Sequence, residues 1–244
     1  MNYRLLIQYD GTRYDGWQRQ GNTEKTIQGK IEEVLKRMTG QETELFGAGR
    51  TDAGVHALGQ VANFHWQEER SPEEILRYLN EYLPEDIGIR KVEKAGDRFH
   101  SRLNAKGKCY RYRIQTGSVK NVFERRQIYP FGAALDLKAM ERAGELLKGK
   151  RDFRGYSSLK RSKKSTVREL QEIRFREKDG EIWIDYYGDG FLYNMVRILT
   201  GTLIEVGSHQ RTAESVRDAL ISGDRQDAGF TAPARGLTLV EVYF

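Results

Sequence analysis

At 244 residues, 38% of them hydrophobic and including 13 Tyr and 10 Phe, the chain can fill one large domain or two modest ones sharing a core, which excludes wholesale disorder. Lys and Arg number 41 against 35 Asp and Glu, and the resulting charge of +6 fits a polyanionic partner as well as it fits simple solubility. A single cysteine, Cys109, excludes an intramolecular disulfide and a cysteine-based metal cluster; the four histidines, His56, His65, His100 and His209, show no ligand-spaced pair, and no stretch approaches the ~18 apolar residues of a membrane span.

The chain opens on MNYRLLIQYD, where Tyr3, Leu5, Ile7 and Tyr9 alternate along one face and predict a strand. No signal-peptide pattern precedes it, so a cytoplasmic protein is expected. After the polar loop GTRYDGWQRQGN, residues Thr26 to Thr39 place Ile27, Ile31, Leu35 and Met38 on one helical stripe, with Gly40 as the stop. Short strands are expected over Thr43 to Phe46 and Gln60 to Trp66. Ser71, Pro72 and Glu74 form a capping box for a helix with the stripe Ile75, Leu79 and Tyr82, ended by Pro84. Ile87 to Val92 reads as a strand, which completes a βαββαβ order.

The second half repeats that order without an alignable sequence repeat. Lys108 to Gln115 alternates Tyr110, Tyr112 and Ile114 with Arg111, Arg113 and Gln115. A helix is expected from Asp136 to a stop at Gly149, and strands over Arg168 to Glu177 and Glu181 to Tyr187 flank the hairpin pair Asp179-Gly180. Phe191 to Val206 reads as a long apolar helix stopping at Gly207, a further helix starts at Thr212, and Leu237 to Phe244 is the last strand. This predicts an α+β fold of two ferredoxin-like lobes, residues 1–103 and 104–244, with ligands held in a cleft.

Four features carry candidate chemistry. FGAGRTDAGVH, residues 46–56, surrounds Arg50 and Asp52 with Gly47, Gly49 and Gly54; a turn with a solvated Asp is the plain alternative. A P-loop would need a terminal GK[ST], and a dinucleotide fingerprint would need a glycine where Asp52 stands, so neither applies. KCYRYRI offers either a stacking platform backed by phosphate-binding arginines or an amphipathic strand with a Tyr/Ile core face. Arg197 lies within FLYNMVRILTGTLIEVG and must pair or reach water. YSSLKRSKKSTVR holds Lys160, Arg161, Lys163, Lys164 and Arg168 with no acid, which suits phosphate contacts or a solvated loop.

Together these residues resemble the tRNA pseudouridine synthase A (TruA) family nearly end to end. GRTDAGVHALGQVANF is the most specific match, and YDGTRYDGWQRQ, CYRYRI, GFLYNMVRILTGTLIEVG and APARGLTLVEVYF follow the family's order and spacing. The resemblance implies a pseudouridine synthase fold, with a mixed, mostly antiparallel sheet around a central basic cleft. It implies a homodimer acting on the anticodon arm of tRNA, at uridines just 3′ of the anticodon, with no metal or nucleotide cofactor. It makes Asp52 the catalytic aspartate, Tyr110 the active-site tyrosine and Arg197 the arginine that pairs with the aspartate. Arg50, His56, Lys160, Arg161, Lys163 and Lys164 are then expected among the substrate-binding residues. Arg151 stands before Asp152-Phe153 where the family often has a His, and a more basic stretch follows; the departure bears on RNA placement rather than chemistry. A non-catalytic RNA-binding protein on the same fold and an RNA methyltransferase are the rival readings, the latter without a donor-binding Gly-rich turn.

Overall fold

The computed structural model describes residues 1–159 and 165–244. The chain divides into two compact units, Met1–Lys106 with Thr238–Phe244, and Gly107–Leu237. In chain order the first unit contains β1 (Asn2–Tyr9), α1 (Ile27–Thr39), β2 (Phe46–Gly47), β3 (His56–His65), α2 (Pro72–Tyr82) and β4 (Ile87–Ala95). The second contains β5 (Gly107–Gln115), β6 (Tyr129–Pro130), α3 (Leu137–Leu147), β7 (Gly149–Asp152), β8 (Val167–Lys178), β9 (Glu181–Gly188), α4 (Met195–Gly207) and α5 (Asp218–Ser222). The last strand, β10 (Leu237–Tyr243), closes the chain.

In the first unit β4, β1 and β3 pair antiparallel, and β2 pairs antiparallel with the other edge of β3. That is the strand order of a ferredoxin-like βαββαβ unit. Tyr3, Leu5 and Ile7 are fully buried, as their alternation predicts. Ile27, Ile31 and Leu35 form the buried stripe of α1, Thr26 caps it by accepting from Gly29 N at 3.2 Å, and Gly40 ends it at φ 72°. The strand expected over 43–46 shrinks to two residues for a specific reason. Two buried side chains of α1 take the main chain of Leu45: Glu32 accepts its N–H at 3.0 Å and Gln28 donates to its carbonyl at 3.1 Å. A strand partner has nothing left to bind there.

β3 begins at His56 rather than Gln60, because β1 still pairs with it at Tyr9–Ala57 and β10 pairs with it in parallel at Thr238–His56 and Leu239–Ala57. The final strand, which sequence order counts with the second half, therefore belongs to the first unit. The capping box of α2 is present in both directions, Glu74 N to Ser71 Oγ and Ser71 N to Glu74 Oε2, each at 3.2 Å. Ile75 and Leu79 are buried, whereas Tyr82 is 48% exposed and its ring lies tilted against that of Tyr78, with centroids 4.6 Å apart.

In the second unit β5, β9, β8 and β7 pair antiparallel in that order, with β6 parallel to β5. Asp179 at φ 50° and Gly180 at φ 75° make the β8–β9 turn. β7 has the sequence GKRD and is exposed throughout, so no apolar alternation announces it. α4 starts at Met195, four residues later than its apolar run, because Asn194 takes the left-handed conformation at φ 60°, ψ 5°. The helix expected from Thr212 is a short 3-10 turn, Glu214–Arg217, followed by the five residues of α5, which Gly223 ends at φ 66°. Replacing Ser71 by Ala removes one half of the α2 capping box and is expected to lower stability by about 1 kcal/mol, read as a shift of the urea midpoint at constant slope.

Candidate active site

In the first unit the loop between β2 and β3 carries Arg50 and Asp52, and a second stretch of backbone lies directly against it. Trp17 N donates to Thr51 O at 3.0 Å, and Gly54 N donates to Tyr14 O at 3.2 Å. The Tyr9 and Thr51 hydroxyls are 2.8 Å apart. Burial raises the Tyr9 pKa, so its phenol stays neutral at this contact. The approach is close enough to require glycine at two positions. A Cβ on Gly11 would lie 2.0 Å from Val55 O, and one on Gly16, at φ 103°, would lie 2.7 Å from Thr51 O. This accounts for the glycines of YDGTRYDGW, whose part in the site the sequence alone did not disclose. The same stretch is anchored from behind, where Tyr14 Oη at 2.5 Å and Arg13 Nε at 2.8 Å donate to the Asp86 carboxylate.

Within the loop, Gln60 Nε2 donates to Gly49 O at 2.8 Å and Val55 N to Asp52 O at 3.1 Å. Asp52 is half-buried and Arg50 exposed. His56 is 2% exposed, and its Nδ1 lies 3.1 Å from both Gly11 N and Asp10 Oδ1. One protonation state cannot satisfy both contacts. The Gly11 N–H needs a lone pair on Nδ1, so while that hydrogen bond is made Nδ1 cannot donate to Asp10. In this conformation His56 braces the loop from inside and presents little surface to a ligand.

The second unit holds Tyr110 and Arg197. Tyr110, on β5, is 6% exposed and meets the Phe191 ring edge-on, with centroids 5.2 Å apart at 84°. Arg197 is in the first turn of α4 and half-buried. Its Nε donates to Ala232 O at 2.7 Å and its Nη1 to Asn194 Oδ1 at 2.8 Å, while Ala232 N returns to Arg197 O at 3.1 Å. Next to Ala232, Pro233 O accepts from Tyr112 Oη at 2.7 Å. Burial raises the Tyr112 pKa, and Arg197 only partly opposes it. The APARGL block near the end of the chain thus holds both the arginine and the core tyrosine of β5. Phe191, Asn194 and Ala232 were not among the expected site residues; apolar or amide side chains and a carbonyl carry no chemical signature in sequence.

The platform reading of KCYRYRI needs correction for Arg111 and Arg113. Arg111 makes a two-pronged pair with Asp185, itself 1% exposed, at 2.6 and 2.9 Å. Arg113 pairs with Glu181 and Glu124 at 2.9 to 3.0 Å. Both guanidinium groups also lie over Trp183, at 4.5 and 5.0 Å from its ring centroid. Opposite charges on β9 compensate them, and Tyr112 and Ile114 face the core, so the amphipathic-strand alternative holds for these residues. Lys160, Arg161, Lys163 and Lys164 lie outside the described residues. Among the described residues, no three His, Cys, Asp or Glu side chains gather to hold a metal, and no helix is long and apolar enough to cross a membrane.

A fold of this kind, with an aspartate on a glycine-braced loop and an arginine fixed at a helix start, has a match among known families. The model of the tRNA pseudouridine synthase family covers residues 5–104 and 143–244, and the chain belongs to that family. Asp52 and Arg197 fall inside the matched residues; Tyr110 falls outside them. The chain is 49% identical to a protein of Bacillus sp. (strain KSM-64) named tRNA pseudouridine synthase A, over 100% of this chain and 99% of that one. It is 47% identical to tRNA pseudouridine synthase A 2 of Bacillus anthracis and 43% identical to tRNA pseudouridine synthase A of Acetivibrio thermocellus, with the same coverage.

Two substitutions test this geometry. Gly16→Ala forces Thr51 and Asp52 apart from Trp17, and overpacking of this kind costs about 1–3 kcal/mol; it is expected to lower the thermal midpoint and turnover together. Arg113→Gln leaves the buried Glu181 carboxylate without its cation and is expected to cost about 3 kcal/mol while leaving tRNA affinity unchanged. A fall in affinity with intact stability would return Arg113 to the phosphate-binding role.

Proposed function

We propose that the chain is an isomerase that converts uridine to pseudouridine in tRNA, with Asp52 as its catalytic carboxylate. One observation carries the reading: a half-buried carboxylate sits on a loop whose backbone is braced on both sides, in a chain that aligns over its whole length with a relative named tRNA pseudouridine synthase A. Such bracing is what positioned nucleophilic catalysis requires, since a reacting atom displaced by about 1 Å can lose two orders of magnitude in rate.

The ribose route, which analogy to glycoside cleavage favours, has two forms: Asp52 removes the 2′ proton to give a glycal as uracil leaves, or, in the covalent form, an Asp52 oxygen bonds to C1′ as the C1′–N1 bond breaks. The bond's electrons leave with uracil as the N1 anion. The base turns, C5 bonds to C1′ and the carboxylate departs with its electrons. Loss of the C5 proton and protonation of N1 complete an isomerisation with no redox change and no imported group. Addition of Asp52 to C6 of the base is the alternative route. The uracil must leave its stack to be reached, and Tyr110, held edge-on by Phe191, is the proposed stacking surface, a contact worth roughly 1–3 kcal/mol in comparable sites. Tyr110 or water takes the C5 proton. Arg197 is proposed to orient the reacting carboxylate. Arg50 is the proposed contact for the flipped nucleotide's phosphate, and Lys160, Arg161, Lys163 and Lys164 for the neighbouring backbone. The proposed target is the anticodon arm, just 3′ of the anticodon, and the proposed assembly is a cytoplasmic homodimer.

The test is release of tritium from tRNA transcripts carrying C5-tritiated uridine. Wild type is expected to release it, and Asp52→Asn, nearly isosteric, is expected to bind the same tRNA while releasing none. Release by the Asn variant would remove Asp52 from the chemistry. Tight binding without release by wild type would leave an RNA-binding module on the same fold.

A further inference from the structure

Asn194 stands at the start of α4 in the left-handed conformation, at φ 60°, ψ 5°. Among non-glycine residues Asn tolerates that conformation best, and it is also a preferred helix cap. Its side chain nevertheless makes no capping bond. Both ends of the amide are used elsewhere. Oδ1 accepts from Arg197 Nη1 at 2.8 Å, and Nδ2 donates to Ser158 Oγ at 3.1 Å. The amide can face only one way, because a guanidinium is donor-only and must meet the oxygen, which leaves the NH2 for a hydroxyl that can accept.

The main chain around this amide is held as firmly. Tyr193 O accepts from Ser158 N at 3.1 Å and from Ser157 Oγ at 3.3 Å, and Asn194 O accepts from Ile198 N at 2.9 Å. Ser157 is buried and follows Tyr156, whose hydroxyl donates to Val216 O at 2.6 Å. Residues 156–158 therefore form a fixed strap across the start of α4, and the Asn194 amide links that strap to Arg197. With Ala232 O on Nε and Asn194 Oδ1 on Nη1, the guanidinium is gripped from two directions, which sets its plane.

We propose that Asn194 is a positioning residue that fixes the Arg197 guanidinium by tying it to Ser158, so that the arginine acts on the reacting carboxylate in one orientation. The proposal rests on the reading that Arg197 acts in uridine isomerisation. Three demands meet at position 194: a left-handed backbone, an acceptor for a cation and a donor for a serine hydroxyl. Gly meets the first alone, which makes Asn194→Gly the informative change, since it keeps the backbone conformation and deletes the link.

The experiment compares the full chain as wild type, Asn194→Gly and Ser158→Ala by two readouts. One is the nitrogen-15 spectrum of labelled arginine, with the Arg197 signals identified by their loss in Arg197→Lys. The other is kcat and KM for a tRNA transcript carrying C5-tritiated uridine. In wild type, Nη1 and Nη2 of Arg197 are expected as separate signals, because two fixed acceptors stop rotation about the Nε–Cζ bond. In Asn194→Gly they are expected to merge, with kcat lower by on the order of 100-fold, KM within about twofold, and an unchanged urea midpoint. Ser158→Ala is expected to move both readouts the same way by a smaller factor. Separate signals in Asn194→Gly, or merged signals with unchanged kcat, would overturn the proposal. A wild type that releases no tritium would sink the reading of the site, while its Arg197 signals would still decide whether Asn194 holds the arginine.

Discussion

The constraint on which the first unit depends is the contact of two stretches of backbone with no side chain between them. Residues 11–17 lie against residues 51–55, joined by main-chain hydrogen bonds from Trp17 to Thr51 and from Gly54 to Tyr14. Any side chain on Gly11 or Gly16 would occupy the space of a carbonyl oxygen. A loop held this way cannot shift one residue without breaking bonds on its neighbour, so Asp52 has a defined position although it lies outside regular structure. Loops carry function when a scaffold makes them rigid, and here the scaffold is another loop.

The second unit reaches the same end by different means. Arg197 lies in an apolar helix, where an unpaired charge would be very costly. The chain answers with a carbonyl from Ala232 and an amide oxygen from Asn194, both neutral acceptors. These neutral acceptors take two of the guanidinium's donors without cancelling its charge. Arg111 and Arg113 show the contrast. Each is matched by a carboxylate on β9 and is thereby committed to the sheet.

Polar side chains also decide where regular structure stops. Gln28 and Glu32 are buried residues of α1 that occupy the main chain of Leu45, so β2 survives as two residues. At the other end of β3, β10 pairs in parallel at His56 and Ala57. At the start of α4, Asn194 gives up four residues of potential helix and in exchange places its amide beside Arg197. In each case a local preference for regular structure yields to a hydrogen bond made over a longer range.

Much of this was legible in the sequence because it depends on periodicity and turn chemistry, which are local. The alternation of β1, the stripe of α1, the capping box at Ser71 and the turn at Asp179-Gly180 all follow from side-chain direction and backbone preference over a few residues. The motif around Asp52 stood out because an acid between glycines is rare enough to mark, and the arginine of α4 because a charge in an apolar run demands an answer. What supplied that answer was not legible. Ala232 is 35 residues from Arg197 along the chain, Ser158 is 36 from Asn194, and Tyr9 is 42 from Thr51. Local sequence chemistry marked most of the elements, though not β7, and the residue types that could carry chemistry. Only the tertiary structure decided which groups hold them, because a carbonyl, an amide or a missing Cβ acquires its meaning from what the fold brings against it.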